Sequence, residues 1–452
     1  MEAAITTTSG ISTTTPGIRP ETSGFSAGNP LQTITEEMLE QYQKTFDRIP
    51  QSIEVVRVGI SEASKRDAVV PYHIFSQKIK PQVTAADQKK SLFCWIFAIL
   101  NVHRIDFIKR FNLPNDFQFS QTYVAFYDKL EKAHMFLLRM KELRQEPISH
   151  KEIQKRLREP IEEGGKWVQF ANIVKKYGLV PLEHMKATYS TENTSQMNFE
   201  LSSTLRRFAR DLREGKDDIN EMLKKVYGIL CIHMGSPPTQ FDWTYETSNG
   251  KVKTVNELTP QQFAVKHVEF QPEDYIVIGN NPMEKYPYGT LYEAPYYRNV
   301  SGGMAHRYIN VPMGILLGTV KTSVSAGDPV CFSSDTRYSK DLEGGVFDPA
   351  LFDKDYYYGD QGDFSRAQRL EYGDVEPWHV MTFTGIHEHS RLQVLNSWST
   401  EYGKDGYFSM STDYFKEYVL RAIVKRSHLS EDLCALWDKN KSTQLGLDDV
   451  VL

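Results

Sequence analysis

Cys94 stands six residues after Gln88 and directly before Trp95, and it opens an apolar run, CWIFAILNV, of helical character. A thiol at a helix start lies in the positive end of the backbone dipole, which favours the thiolate and hence nucleophilic attack. Gln88 is placed to aim its side-chain amide at an oxyanion forming beside the Cys94 N–H. A base is also needed. His379 begins the apolar run HVMTFTGI, and Asn396 stands in VLNSWS on the next strand-like run. Neighbouring strands can hold imidazole and carboxamide together, so that Asn396 accepts from one ring nitrogen and leaves the other for the thiol. Trp398 is positioned to cover that bond from water. Each residue alone has a plainer explanation: a lone cysteine in an apolar run is usually core, a strand-edge histidine structural, an Asn before Ser-Trp a turn. The set, in this order, points to acyl transfer through a thioester.

These residues need a helix and a group of strands to meet. The Cys94 run continues into HRIDFIKRF, a helix passing from the core towards solvent. Ser120 is the N-cap of a second helix with Tyr123, Phe126, Tyr127, Leu130 and Leu137 on one face. Gly164 and Gly165 precede an amphipathic helix from Trp167 to Tyr177, ended by Gly178 with a Pro at 181. The charged stretch from Leu201 to Val226 predicts one or two helices, and Met313–Ser325 another. His379–Ile386, Leu392–Trp398, Tyr407–Met410 and Val419–Val424 read as strands. A helix-rich first half and a strand-rich last third predict an α+β protein.

Residues 1–33 are dominated by Thr, Ser, Gly and Pro, too poor in large apolar side chains to offset their ordering entropy, and are expected to be disordered. A helix is expected from Thr35, with Met38, Tyr42 and Phe46 on one face. The expected segments are 34–190 for a helical part carrying the cysteine, 191–300 for an inserted helical region, 301–427 for the strand-rich part with His379 and Asn396, and 428–452 for a polar arm.

The formal net charge of −5 argues against coating by nucleic acid, although a local basic patch is compatible with it. Cys94, Cys231, Cys331 and Cys434 are far apart with no CxxC pair, so neither a zinc site nor a disulfide framework is predicted. His387 and His389 alternate as metal ligands would, but HEHSR reads better as a solvated loop. No metal or cofactor is expected. The absence of a basic-then-apolar leader and of a long apolar run predicts a reduced, cytoplasmic protein away from membranes.

The pattern Q-x5-C-W, then His379-Val380, then Asn396-Ser-Trp resembles the papain superfamily. His379 and Asn396 lie 285 and 302 residues after the cysteine, against about 130–150 in compact members, so an insertion is required. FQFSQTYVAFYDKLEKA, EGGKWVQFANIVKKYGLVP, GSPPTQFDWTY and LNSWSTEYGKDGYF are similar to the bleomycin hydrolase and aminopeptidase C branch, over roughly residues 80 to 430. The resemblance implies a two-lobed fold: a helical lobe, an antiparallel barrel-like lobe and a large helical insertion. It implies a thiol aminopeptidase acting on peptides, with Cys94 as nucleophile, His379 as base, Asn396 as orienter and Gln88 as oxyanion donor. It further implies that Gly164 and Gly165 let substrate backbone approach, that Leu92 and Val380 flank the groove, and that the arm ending in Leu452 lies in the cleft with a carboxylate facing the substrate's amino end. The branch forms homo-hexameric rings around a basic channel, and some members bind nucleic acid.

Four positions depart from the branch. Leu92 replaces a glycine two residues before the cysteine and is expected to narrow the groove, beside bulky Phe93. Asp87 brings a carboxylate near the thiol, and Ser399 replaces a glycine after Asn396-Ser-Trp. These departures motivate two alternatives, a catalytically weakened scaffold and a nucleic-acid-binding hexamer.

Overall fold

The computed structural model describes residues 37, 38, 40, 41, 72–351, 362–387, 390–439 and 441–452. The expectation of disorder over 1–33 lies outside these residues, as do Tyr42, Phe46 and His389. Contacts divide the chain into two units, Met1–Val55 and Val56–Leu452. In the first, Glu37, Met38, Glu40 and Gln41 are helical. All that follows concerns the second.

Helix α1 (Cys94–Phe111) is buried around most of its girth, as an apolar run of this length requires. Helix α2 (Gln121–Glu142) starts at Ser120, whose hydroxyl accepts from the Tyr123 N–H at 3.0 Å. Helix α3 (Trp167–Tyr177) ends at Gly178, which has φ +82°, in the left-handed region that favours glycine. The charged stretch forms two helices, α4 (Ser195–Arg213) and α5 (Ile219–Met234), and α6 spans Met313–Ser325.

The main sheet uses strands β1 (Tyr275–Gly279), β2 (Thr290–Ala294), β3 (His306–Asn310), β4 (Val330–Ser334), β5 (His379–His387), β6 (Arg391–Leu395), β7 (Tyr407–Ser411) and β8 (Val419–Lys425), with short strands at its margins. Their spatial order is β2-β3-β1-β8-β4-β5-β6-β7. Most neighbours are antiparallel, but β1 and β3 run parallel, so the sheet is mixed. In β5, β4 and β8 one cross-strand row carries Val380, Ser333 and Arg421. That row ties the His379 strand to a charged residue two strands away, at roughly twice the ~4.8 Å strand spacing. Helix α1 lies against β5, with the Thr382 hydroxyl donating to the Ala98 carbonyl at 2.9 Å.

The helical character expected of 191–300 needs correction. The long helices of the stretch 191–300 end at Met234, and only short helical segments recur after it, at Pro260–Phe263, Ala264–Val268, Pro272–Asp274 and Pro295–Tyr297. A hairpin of Phe241–Glu246 and Val252–Leu258 follows, then β1 and β2. Its Phe, Trp and Tyr alternate with polar residues in FDWTYE, the period-two signal of a half-buried strand. Within the expected arm 428–452, Ser430 caps a helix over Glu431–Asp438, and Thr443–Gln444 pairs with β2.

Candidate active site

Cys94 is the first residue of α1, following Phe93 as N-cap. The chain enters through a tight loop in which the Gln88 carbonyl accepts from both the Ser91 hydroxyl (2.6 Å) and the Ser91 N–H (3.1 Å). Gln88 itself is buried. Its amide nitrogen donates to the Ser91 carbonyl at 2.8 Å, leaving one N–H, and its amide oxygen accepts from the Ser397 hydroxyl at 2.6 Å. The Gln88 N–H donates to the Ser397 carbonyl at 2.9 Å. The cysteine loop and the Asn396-Ser397-Trp398 segment are thereby locked together across the protein.

His379 opens β5 and Asn396 follows β6, two antiparallel neighbours. The His379 Nε2 and the Asn396 Oδ1 are 2.9 Å apart. The same Oδ1 accepts the Ser397 N–H at 2.8 Å, which identifies it as oxygen, because a backbone N–H cannot donate to an amide nitrogen. Nε2 therefore carries the proton and Nδ1 has the lone pair. Trp398 stacks on the imidazole with ring centroids 4.6 Å apart and planes 18° from parallel. The Lys340 ammonium lies 5.9 Å from the centroid of that indole.

Burial disfavours the charged form of both Cys94 and His379. Burial pushes the Cys94 thiol up to about 11, opposed by backbone hydrogen bonds from Val380 and Trp95 and by the Arg421 charge. Burial brings His379 down to about 4, opposed by its bond to Asn396 and assisted by the Lys340 charge. Besides the Arg421 charge, the groups that favour the thiolate are backbone groups of Val380, Trp95 and Cys94 itself.

The remaining sequence candidates separate. Gly165 is required by packing: a Cβ there would lie 2.3 Å from the Trp95 indole, which donates to the Glu163 carbonyl at 3.1 Å. At Gly164 a Cβ would meet nothing within 4 Å, so only this glycine is open to an incoming chain. Leu92 is 60% exposed beside the nucleophile, projecting outward instead of packing. Asp87 is engaged by Lys89, through the backbone N–H at 2.8 Å and the ammonium at 2.6 Å, so its charge is offset locally. Ser399 adopts φ +69°, the left-handed conformation that a glycine enters without strain, and its hydroxyl accepts from the Glu401 N–H at 3.1 Å. No group of three or more metal-ligating side chains occurs among the described residues, and no helix among them is long and apolar enough to cross a membrane.

Leu452 is buried, 1% exposed, in a cavity of about 450 Å³ shared with Gly164, Gly165 and Tyr297. Its carbonyl oxygen accepts from Lys166 Nζ (3.3 Å), from His306 Nε2 (3.1 Å) and from the Arg421 guanidinium. Sequence reasoning missed these three residues. The available signal was Arg421, a lone charge in the apolar run VLRAIV.

A model of the Peptidase C1-like family matches residues 33–450. Bleomycin hydrolase of Homo sapiens is 33% identical over 389 residues, 81% of this chain and 85% of its own. Aminopeptidase E of Lactobacillus helveticus is 33% identical over 420 residues, 88% of this chain and 94% of its own. A crystal structure of PepW from Lactobacillus rhamnosis HN001 has a TM-score of 0.85 at 29% identity, covering 93% of this chain and 98% of that one. By the extent of these matches, the chain belongs to the Peptidase C1-like family.

Proposed function

We propose that this protein is a thiol aminopeptidase that hydrolyses peptide and aminoacyl amide bonds through a thioester on Cys94. The observation that carries the reading is the Asn396 oxygen shared by His379 and Ser397, because it leaves the unprotonated Nδ1 as the only free imidazole nitrogen. Relatives named bleomycin hydrolase and aminopeptidase E support the same class. We read the architecture as papain-like, with α1 and the His379 strand meeting at a cleft between a helical and a strand-rich lobe.

The reaction starts from the neutral pair. As the Cys94 sulfur attacks the carbonyl carbon, its proton passes to His379 Nδ1, and the resulting imidazolium is stabilised by Asn396 Oδ1. The carbonyl oxygen becomes an oxyanion facing the Cys94 N–H at the start of α1 and the remaining Gln88 amide N–H. His379 then gives its proton to the leaving amine as the C–N bond breaks. Water, deprotonated by the same nitrogen, attacks the thioester and releases the acid, returning the proton to Cys94. The arm ending in Leu452 fills the end of the cleft next to Gly164 and thereby limits how far a substrate extends beyond its first residue.

Titration with a thiol-reactive epoxide tests this reading. One equivalent per chain should bind at Cys94 and abolish hydrolysis of an aminoacyl fluorogenic amide, and Cys94→Ala should be inactive yet folded. Unlabelled Cys94 in a folded protein without hydrolysis would identify a scaffold instead.

A further inference from the structure

A base that hands its proton to the leaving amine also fixes where the residue after the scissile bond must lie, which is beside the base's own ring. That ring is His379. Trp398 stacks on it with centroids 4.6 Å apart and stays partly exposed, so the indole is reachable from solvent. The Lys340 ammonium lies 5.9 Å from the centroid of the same indole. Burial and then the Lys340 charge lower the imidazole, so the field of this ammonium reaches the base. Base, indole and ammonium share one neighbourhood on the leaving-group side.

Lys340 has no anion of its own there. It is half-buried in a two-residue strand, Lys340–Asp341, that pairs with Val346–Phe347. Among the described residues its ammonium makes no hydrogen bond and no ion pair. The carboxylate whose charge acts on it, Asp335, is fully buried and already filled. Asp335 accepts from the Arg337 guanidinium at 3.0 and 2.6 Å and from the backbone N–H groups of Arg337 and Glu376, each at 3.0 Å. Asp87, whose backbone bridges to that of Trp398, has its carboxylate taken by Lys89 at 2.6 Å. A half-buried ammonium in this position gives up hydration without a bonded anion to offset the loss, and burial lowers it accordingly. The indole offsets little at this distance, which is near the limit of a cation–π contact.

We propose that Lys340 anchors an anion subsite on the leaving-group side of the cleft, taking a carboxylate carried by the residue that follows the scissile bond. The proposal rests on the thiol aminopeptidase reading and adds a substrate class to it. Such a carboxylate forms the charge-assisted bond that the ammonium lacks, and the exposed part of Trp398 meets the carbon atoms beside it. The carboxylate belongs either to the free end of a dipeptide or to an acidic side chain. A neutral leaving residue makes no such bond, so the site discriminates between an acid and its own amide.

Binding to the folded Cys94→Ala protein reads this subsite without turnover. Calorimetric titration compares Leu-Gly with Leu-Gly amide, and Leu-Glu amide with Leu-Gln amide. One acid at least should bind about tenfold more tightly than its neutral partner, the effect of one charge-assisted bond. The pair that shows the difference identifies the source of the carboxylate. Lys340→Met and Lys340→Gln should abolish the difference, and Lys340→Arg should retain it. Equal affinities within both pairs, no measurable binding of any of the four, or a difference that survives in a folded Lys340→Met protein would overturn the proposal. A lysine that only covers Trp398 or holds His379 neutral would treat acid and amide alike, which is the same overturning result. Because hydrolysis is not measured, a failure of the peptidase reading would show in the epoxide titration and not in these affinities.

Discussion

Asn396 Oδ1 accepts two hydrogen bonds at once, from His379 Nε2 at 2.9 Å and from the Ser397 N–H at 2.8 Å, and the second fixes the meaning of the first. The oxygen cannot be exchanged for the amide nitrogen without placing two donors face to face. Asn396→Ala should therefore leave His379 free to rotate and to change tautomer. Turnover of an aminoacyl amide should fall about 100-fold, as for a small misplacement of a reacting group, with a residual rate above that of Cys94→Ala. Steady-state kinetics on both variants checks this. A loss as complete as in Cys94→Ala would mean that Asn396 does more than orient.

The depressed His379 makes stability depend on pH. Its folded value of about 4 lies below its ordinary 6.5, so between these limits the unfolded chain takes up a proton that the folded chain refuses. The unfolded state then binds more protons, and stability falls as pH drops from 6.5 towards 4. Melting temperatures across this range should decline less steeply in His379→Gln. Parallel curves would show that the imidazole does not contribute.

Trp398 shields the imidazole with its stacked indole. Trp398→Ala should admit water and move the His379 value upward, towards 6.5. The acid limb of the kcat/KM profile is the measurement, and a shift of about one pH unit upward is expected. An unmoved limb would show that the protein interior, not this ring, holds His379 neutral.

The two glycines before α3 should behave oppositely. Gly165→Ala forces a methyl into the buried Trp95 indole and should cost about 1–3 kcal/mol in urea unfolding. Gly164→Ala meets nothing and should change stability by less than about 0.5 kcal/mol. Lost activity in a stable Gly164→Ala protein would identify that position as the one passed by substrate backbone.

Leu92 has little packing to lose. Leu92→Gly should raise kcat/KM for bulky substrates with at most a small loss of stability, arising from chain entropy. Equal kcat/KM for small and bulky amides, before and after the change, would show that the side chain points clear of the groove.

The local elements were legible because each is set by side chains close in sequence. The Ser120 cap, the Gly178 stop and the apolar run from His379 each carry a short-range physical cause, and each forms where expected. Cys94, His379 and Asn396 stood out as candidates because thiol chemistry admits few residue types, and His379 and Asn396 do meet at 2.9 Å. The sequence alone could not separate Gly164 from Gly165, because the reason for one glycine is an indole 70 residues earlier. Nor could it show that Lys89 offsets Asp87, or that Ser399 occupies a left-handed turn. The pocket around Leu452 was hidden for the same reason. Lys166, His306, Arg421 and Leu452 come from a helix cap, two strands and the arm, and only tertiary packing brings their charges to one oxygen. Sequence periodicity records which face of an element is buried, whereas electrostatic partnership depends on distances that exist only after the sheet, the helices and the arm have closed on one another.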